Sequence, residues 1–398
     1  MRGTAFSLGR SGVLVLGVAL TTIGCGDEST AGVGGTGAGG AGGSGASGGS
    51  GGSTGGAEFV MAPHPAFPVI DGDPAAIIAK PKLVTITFSD DANTEQLQAV
   101  GDAIGTSDWL KAVGTDYGVT EGTHLAKVVL PEPAPLQATD PEVLDLVDQY
   151  IQSGLVPAPA ADIMYMIYVP AQTDLDDGWG YHVCTDYLGY HYQAQVSSGL
   201  MTYAFVGDCG GGLEEITATF AHEYIETATD PDVENGYYLR LKPSDTWYVL
   251  DGLENADLCD YADYVTEGGF TYQRVWSNKA AAEAVTSPCA PIDPNETFFN
   301  VYSDPATIPS LAVGESATFT LTGWSAGPVD DWKLDYDGAY FGEFEPEVEF
   351  SGLTMNNGQS VTIKLTVPAG TPKGRLGTAM VYSGPGYGRF WPVTVRSK

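Results

Sequence analysis

Residues 210–231, GGGLEEITATFAHEYIETATDP, carry a strong helical signal. The three glycines open the segment, and Asp230-Pro231 ends it because a residue that precedes proline disfavours the helical conformation. Apolar residues recur with the spacing of one helix face and would pack against a core; they are Ile216, Phe220, Tyr224 and Ile225. We therefore expect a packed helix over residues 213–229.

Three polar residues of this helix, His222, Glu223 and Glu226, follow the order H-E-x-x-E. His222 and Glu226 are four positions apart and lie on one face, so they can hold one ion. Zinc hydrolases use this layout, with a third ligand from elsewhere and a free carboxylate as general base. Glu223 would be that base. The alternative is an acidic surface helix that contains a histidine, but the apolar flanks argue against it.

A second acidic cluster, LENADLCD at residues 253–260, can supply the third ligand through Glu254 or Asp257. No histidine follows His222, so a downstream ligand must be an oxygen donor. Upstream, His191 in LGYHYQA is an extra or substitute ligand. The set His222, Glu226 and Glu254 resembles the thermolysin-like arrangement with one histidine replaced by glutamate.

The motif excludes metzincins. It does not decide whether the site binds zinc or a harder ion such as calcium or manganese. Metzincins need a further histidine and a Met-turn, yet no methionine lies between Met201 and Met355. Zinc is the expected cofactor because two ligands from one helix, a third from elsewhere and a free carboxylate are the layout that zinc chemistry needs. The second carboxylate makes the site harder, however, so calcium or manganese competes and a structural or inactive site is an alternative.

Residues 58–294 mix strands and helices ahead of the His-Glu helix. The predicted strands are 83–88, 124–130, 163–169 and 200–206, and the predicted earlier helices are 94–104 and 140–151. This order is similar to the upper domain of zincin peptidases. The similarity implies a zincin-like α/β (α+β) domain with a mixed sheet.

The last hundred residues, 295–398, have a different pattern. SATFTLTGW, SVTIKLTV and GTAMVYSG alternate apolar and polar positions between glycine, proline and asparagine turns. We predict an all-β immunoglobulin-like sandwich of about seven strands. It would act as an adhesion or spacing module.

Residues 1–25 have the basic, apolar and small-residue parts of a secretion signal, and their apolar run is too short to span a bilayer. Ile23-Gly24-Cys25 resembles a bacterial lipobox, with Thr22 where leucine is usual, which implies an exported lipoprotein anchored through Cys25. Ordinary cleavage that leaves Cys25 free is the alternative. Residues 26–57, rich in glycine and serine, would form a flexible tether with a reach of about 30 Å.

Five cysteines leave an even number for disulfides if Cys25 carries lipid. Three pairings are open to the other four. We favour Cys184 with Cys209 and Cys259 with Cys289 because each pair brackets a compact segment. Metal binding by the thiolates of Cys184 and Cys259 is the alternative, although no C-x-x-C spacing occurs.

The net charge is −33, and it becomes −35 once Arg2 and Arg10 leave with the signal. A surface this acidic repels nucleic acid and anionic lipid and attracts divalent cations. Nucleic acid is therefore excluded as a partner.

Three segments, AHEYIETATDP, ENADLC and YQRVWSN, together resemble secreted bacterial relatives of the plant EXORDIUM, or phosphate-induced, family. The likeness extends back to YHVCTDYLGYHYQ and YAFVGDCGG and covers roughly residues 80–290. It implies that five residues form one site: His222, Glu223, Glu226, Glu254 and Asp257. The plant members are extracellular growth-related proteins, so the resemblance does not imply peptidase activity.

Two functions follow as expectations. In the first, an anchored metalloprotease-like protein at the cell envelope or surface uses zinc and Glu223 to hydrolyse a protein or peptide substrate. In the second, a non-catalytic EXORDIUM-like protein uses the same residues as a structural metal site or hydrogen-bond site.

Overall fold

The computed structural model describes residues 58–232, 235–338 and 341–398. The predicted signal, the lipidation site Cys25 and the tether lie outside the described residues. Within those ranges, no helix combines the length and hydropathy needed to cross a bilayer.

The helices lie in the first part of the described chain, among short strands. The helices are α1 (Thr94–Ile104), α2 (Asp108–Gly114), α3 (Asp140–Ser153), α4 (Gly212–Thr229) and α5 (Asn278–Glu283). The strands are β1 (Lys82–Phe88), β2 (Thr123–Leu130), β3 (Gln137–Thr139), β4 (Ile163–Val169), β5 (Asp174–Asp176), β6 (Gly189–Val196), β7 (Gly199–Gly207), β8 (Val265–Glu267), β9 (Phe270–Tyr272), β10 (Val275–Trp276) and β11 (Cys289–Ala290).

A five-stranded mixed sheet with the order β2-β1-β4-β7-β6 forms the centre of this part. Strands β2, β1, β4 and β7 are parallel, whereas β6 pairs with β7 in the antiparallel sense at one edge. Every residue of β4 is buried, as expected for a strand covered on both faces. Helix α4 packs against β7 and β6. The predicted mixed α/β architecture is therefore confirmed.

In the second part of the chain, the regular elements of the described residues 295–338 and 341–398 are all strands. Its strands are β12 (Phe299–Asp304), β13 (Ser310–Leu311), β14 (Ser316–Ser325), β15 (Trp332–Asp337), β16 (Glu347–Phe350), β17 (Thr354–Met355), β18 (Ser360–Thr366), β19 (Leu376–Ser383) and β20 (Phe390–Ser397). They form one sheet with the order β12-β14-β18-β16 and another with the order β13-β20-β19-β15-β17. The prediction of about seven strands was low because β13 and β17 have only two residues each, too few to show alternation.

The two parts share one hydrophobic cluster, and Phe67 lies inside it. Its ring is about 6 Å from the rings of Trp247 and Trp276, which belong to the first part, and from those of Trp324 and Trp391, which belong to the second. Residues 60–70, which we call the N-terminal segment, are therefore packed between the α/β part and the two sheets.

Two disulfide bonds have the predicted pairing. Cys184–Cys209 joins the loop before β6 to the loop after β7, and Cys259–Cys289 joins the 254–260 loop to β11. Disulfides are typical of proteins that fold in an oxidising compartment. Both bonds lie on segments that lead into the candidate site.

Candidate metal centre

Helix α4 places His222 and Glu226 one turn apart on the same face. The buried apolar residues of α4 fix the helix against the sheet, which directs this polar face toward the 254–260 loop. Nε2 of His222 lies 2.8 Å from Oε2 of Glu226. The helical spacing thus brings the two predicted ligands into direct contact.

The 254–260 loop closes over this face of the helix. Oε1 of Glu226 accepts the backbone N–H of Ala256 at 3.0 Å and that of Asp257 at 3.2 Å. Oδ1 of Asp257 lies 3.6 Å from Nε2 of His222, and Oδ1 of Asp260 lies 3.8 Å from Nδ1. The predicted convergence of helix and loop is therefore present, and Asp257 is the loop carboxylate nearest to Nε2 of His222.

Gln273 fixes the tautomer of His222. Its amide nitrogen donates to the Ala256 carbonyl at 2.9 Å, so its amide oxygen faces Nδ1 of His222 at 3.1 Å. An amide oxygen only accepts, and Nδ1 must therefore carry the proton. In the metal-free cluster Nε2 donates a second proton toward Glu226 at 2.8 Å, and a cation would take the place of that proton between Nε2, Glu226 and Asp257. This is the usual orientation of a metal-binding histidine whose other nitrogen is held by an acceptor.

His191 and Glu223 lie on the other side of Glu226, between β6 and α4. Nδ1 of His191 is 3.4 Å from Oε2 of Glu223, and its Nε2 is 3.0 Å from the Asp230 carbonyl oxygen. Glu254 also lies on this side, 3.6 Å from Nε2 of His191. The expected set of His222, Glu226 and Glu254 is therefore divided between the two histidines, with Glu254 next to His191.

Burial and mutual repulsion dominate the electrostatics of the cluster. Desolvation raises the pKa of Glu226, Glu254 and Asp260, the last to about 6. Attraction to His222 offsets part of this increase for Glu226 and Asp260, and repulsion from neighbouring carboxylates adds to the increase for all three. Desolvation alone would lower the pKa of His222, but attraction to Glu226 and Asp257 raises it well above its usual value. A bound cation would relieve this crowding of negative charge.

The donors fit a divalent cation. One ligand atom each from His222, Glu226 and Asp257 lie within 4.8 Å of one another, and the same holds for His191, Glu223 and Glu226. Oε2 of Glu223 and Oε2 of Glu254 are buried and have no hydrogen-bond partner among the described residues. Buried carboxylate oxygens without a donor are costly unless a cation pairs with them.

Two aspects of the site differ from the sequence-based expectation. Glu223, the expected general base, is only 3% exposed, whereas a general base must be within reach of the proton that it removes. Gln273, in the YQRVWSN segment, was not predicted as a site residue. The sequence offers no signal for its role beyond that segment's place in the family resemblance, because the role depends on how its amide is oriented.

Comparisons with known proteins add little. No protein-family model matches the chain, and no curated protein matches it. Among solved structures, the chain has a partial likeness to a GH5 xyloglucanase from Bacteroides ovatus in complex with a XXXG heptasaccharide. The identity is 15%, the TM-score is 0.17, and the match covers 25% of this chain and 19% of that enzyme. A likeness this partial carries no argument about fold or activity.

Proposed function

We propose that the chain is an exported, EXORDIUM-like extracellular protein that binds a divalent cation at His222, Glu226 and Asp257. The cation would join α4 to the 254–260 loop and hold the charged cluster together. The observation that carries this proposal is the convergence of three donors, with Nε2 of His222 2.8 Å from Glu226 and 3.6 Å from Asp257. Anchoring through Cys25 is part of the proposal and would keep the protein at the cell envelope.

Zinc is the cation we propose, because one imidazole nitrogen and two carboxylate oxygens are common zinc ligands. Calcium prefers six to eight oxygen ligands and a longer ligand distance, so an imidazole in the set disfavours it. The side chains of His222, Asp257 and Asp260 are 15%, 28% and 20% exposed, which leaves an entry path for the ion on this side.

The burial of Glu223 favours a non-catalytic site. A general base must reach the proton that it removes, directly or through one water. The Glu223 side chain is 4% exposed and faces His191, whose side chain is 5% exposed. In this arrangement Glu223 is placed to bind or to pair, and substrate has no direct access to its carboxylate.

A zinc-dependent peptidase is the second candidate, and the H-E-x-x-E helix with a carboxylate ligand from the downstream loop favours it. The metal would act as a Lewis acid and lower the pKa of a bound water. Glu223 would accept a proton from the attacking water after its carboxylate turned away from His191. The substrate would be a protein or peptide.

The proposal includes a fold family for each part of the chain. A mixed sheet with an antiparallel edge strand, followed by the His-Glu helix, supports a zincin-like assignment for residues 58–294. Two antiparallel-rich sheets that share one core support an immunoglobulin-like assignment for residues 295–398. The second domain would space or attach the first.

Metal analysis and a cleavage assay test these candidates together. The protein is purified without chelator, its metal content is measured, and cleavage of unfolded protein is compared between wild type and Glu223→Ala. We expect bound zinc and no cleavage above background in either protein. Zinc-dependent cleavage that is lost in Glu223→Ala would establish the peptidase instead, and absence of bound metal would refute both candidates.

A further inference from the structure

The pair formed by His191 and Glu223 has the geometry of two ligands of one ion. His191 is 8% exposed and Glu223 is 3% exposed, so neither is solvated by bulk water. Nδ1 of His191 and Oε2 of Glu223 are 3.4 Å apart, yet Oε2 has no hydrogen-bond partner among the described residues. Two ligands of a tetrahedral zinc ion are separated by about 3.3 Å, given zinc–ligand distances of about 2.0 to 2.1 Å.

The hydrogen bonding of the His191 ring also indicates that His191 and Glu223 are two ligands of one ion. Its Nε2 lies 3.0 Å from the backbone carbonyl oxygen of Asp230, which can only accept, so Nε2 carries the proton. In a neutral ring the lone pair is on Nδ1, opposite the carboxylate of Glu223. Two acceptors would then face each other in a buried place, so this pair needs either a cation between them or a proton on Nδ1.

The fold brings the two side chains together through a close approach of β6 to α4. At Gly189, the first residue of β6, a Cβ atom would lie 2.8 Å from Oε1 of Glu223 and 2.9 Å from a methyl carbon of Thr219. Any larger residue would push the strand away from the helix. Glycine at this position thus lets the edge strand bring His191 over Glu223.

We propose that this chain binds two divalent cations, the first at His222, Glu226 and Asp257 and the second at His191 and Glu223, with Glu226 shared between them. Glu226 is the residue common to both groups of donors that lie within 4.8 Å of one another. Two-metal centres hold their ions about 3.5 to 4 Å apart, commonly with shared ligands. The proposal rests on the first ion site and assigns Glu223 as a ligand.

Zinc stoichiometry and the separation between ions test this proposal. The purified protein is stripped of metal, dialysed against zinc chloride and analysed for zinc per chain, and X-ray absorption then reports any zinc–zinc distance. We expect two zinc ions per wild-type chain with a separation of about 3.5 to 4 Å. We expect His191→Ala to bind one zinc, and the surface control His182→Ala to bind two.

The possible outcomes separate this inference from the proposed function. One zinc in wild type, retained in His191→Ala and lost in His222→Ala, would overturn the second site and leave the first intact. One zinc lost in His191→Ala but retained in His222→Ala would overturn both, as would no zinc at all. If near-ultraviolet circular dichroism shows that His191→Ala does not fold, Glu223→Gln replaces it. The number of zinc ions per wild-type chain then still decides whether the second site exists.

Discussion

The carboxylate of Glu226 accepts the backbone N–H of Ala256 at 3.0 Å, which joins the last turn of α4 directly to the 254–260 loop. The same oxygen accepts the N–H of Asp257 at 3.2 Å. Glu226 therefore has a structural role before any metal is bound, because it satisfies two buried donors of the loop.

This contact predicts different effects for two substitutions of Glu226. In metal-free protein, Glu226→Gln keeps an acceptor for Ala256 and removes a buried charge, so the free energy of unfolding should change little. Glu226→Ala leaves the two N–H groups unpaired and should cost about 1 to 3 kcal/mol. Urea unfolding in the presence of a chelator measures both. Equal destabilisation by the two variants would contradict the prediction, and both should lose zinc.

Gln273 should control metal affinity without contacting the metal. Gln273→Leu removes the acceptor that holds the proton on Nδ1 of His222, so Nε2 is no longer fixed as the ligand. Loss of such a partner typically weakens metal binding about 10- to 100-fold. Zinc titration against a competing chelator measures the change in Kd. Gln193→Leu, on β6 away from His222, is the matched control and should leave Kd unchanged; an unchanged Kd in Gln273→Leu would refute this role.

The stability of the metal-free protein should fall as pH rises through the acidic range. Burial raises the pKa of Asp260 from 3.8 to about 6, so the folded state holds this proton more tightly than the unfolded state does. The resulting stabilisation is complete below about pH 4 and is lost as pH rises toward 6. The raised pKa values of Glu226 and Glu254 extend the loss to higher pH.

Zinc should reverse this trend, because metal ligands must lose their protons to bind. The increase in Tm on adding zinc should therefore grow as pH rises from about 5 to 8. Thermal unfolding with zinc and with chelator across this range provides the measurement. A zinc-induced increase in Tm that shrinks with pH, or a metal-free Tm that rises with pH, would count against the cluster as a cation site.

Removing either disulfide should lower the free energy of unfolding by a similar amount, but only one of the two removals should weaken zinc binding. The two disulfides separate cysteines by 30 and 25 residues, so removing either should destabilise the protein by about 3.5 kcal/mol on chain-entropy grounds. Only Cys259–Cys289 holds the loop that carries Asp257 and Asp260. The variant Cys259→Ser with Cys289→Ser should bind zinc more weakly than the matched variant Cys184→Ser with Cys209→Ser, as measured by zinc titration at a temperature where both are folded.

The sequence predicts an element of this fold well when the residues of that element alone carry a clear hydrophobic pattern. Strand β4 was predicted with its observed bounds, 163–169, because its apolar run is continuous and lies between turn residues. Strand β6 was not predicted, since an edge strand is only partly buried and its aromatic residues do not alternate clearly. The position of α4 followed from its apolar period and from Pro231.

The site was predicted in its composition but not in its internal arrangement. The acidic cluster at 253–260 marked the correct loop. Which carboxylate faces which histidine depends on the short turn at Asp257–Cys259, which directs Asp257 toward His222 and leaves Glu254 beside His191. Such a division is set by tertiary packing, and no spacing rule in the sequence encodes it.

The N-terminal segment gives the molecule a mechanical property. His64 stacks on Trp324 with ring centroids 3.7 Å apart, and Asn357 holds the backbone of Val60 and Ala62 through its side-chain amide. A pull applied upstream of Val60 would thus be resisted first by the β-rich second part of the chain. The force would reach helix α4 and its charged cluster only after the contacts of residues 60–64 with Trp324 and Asn357 had broken.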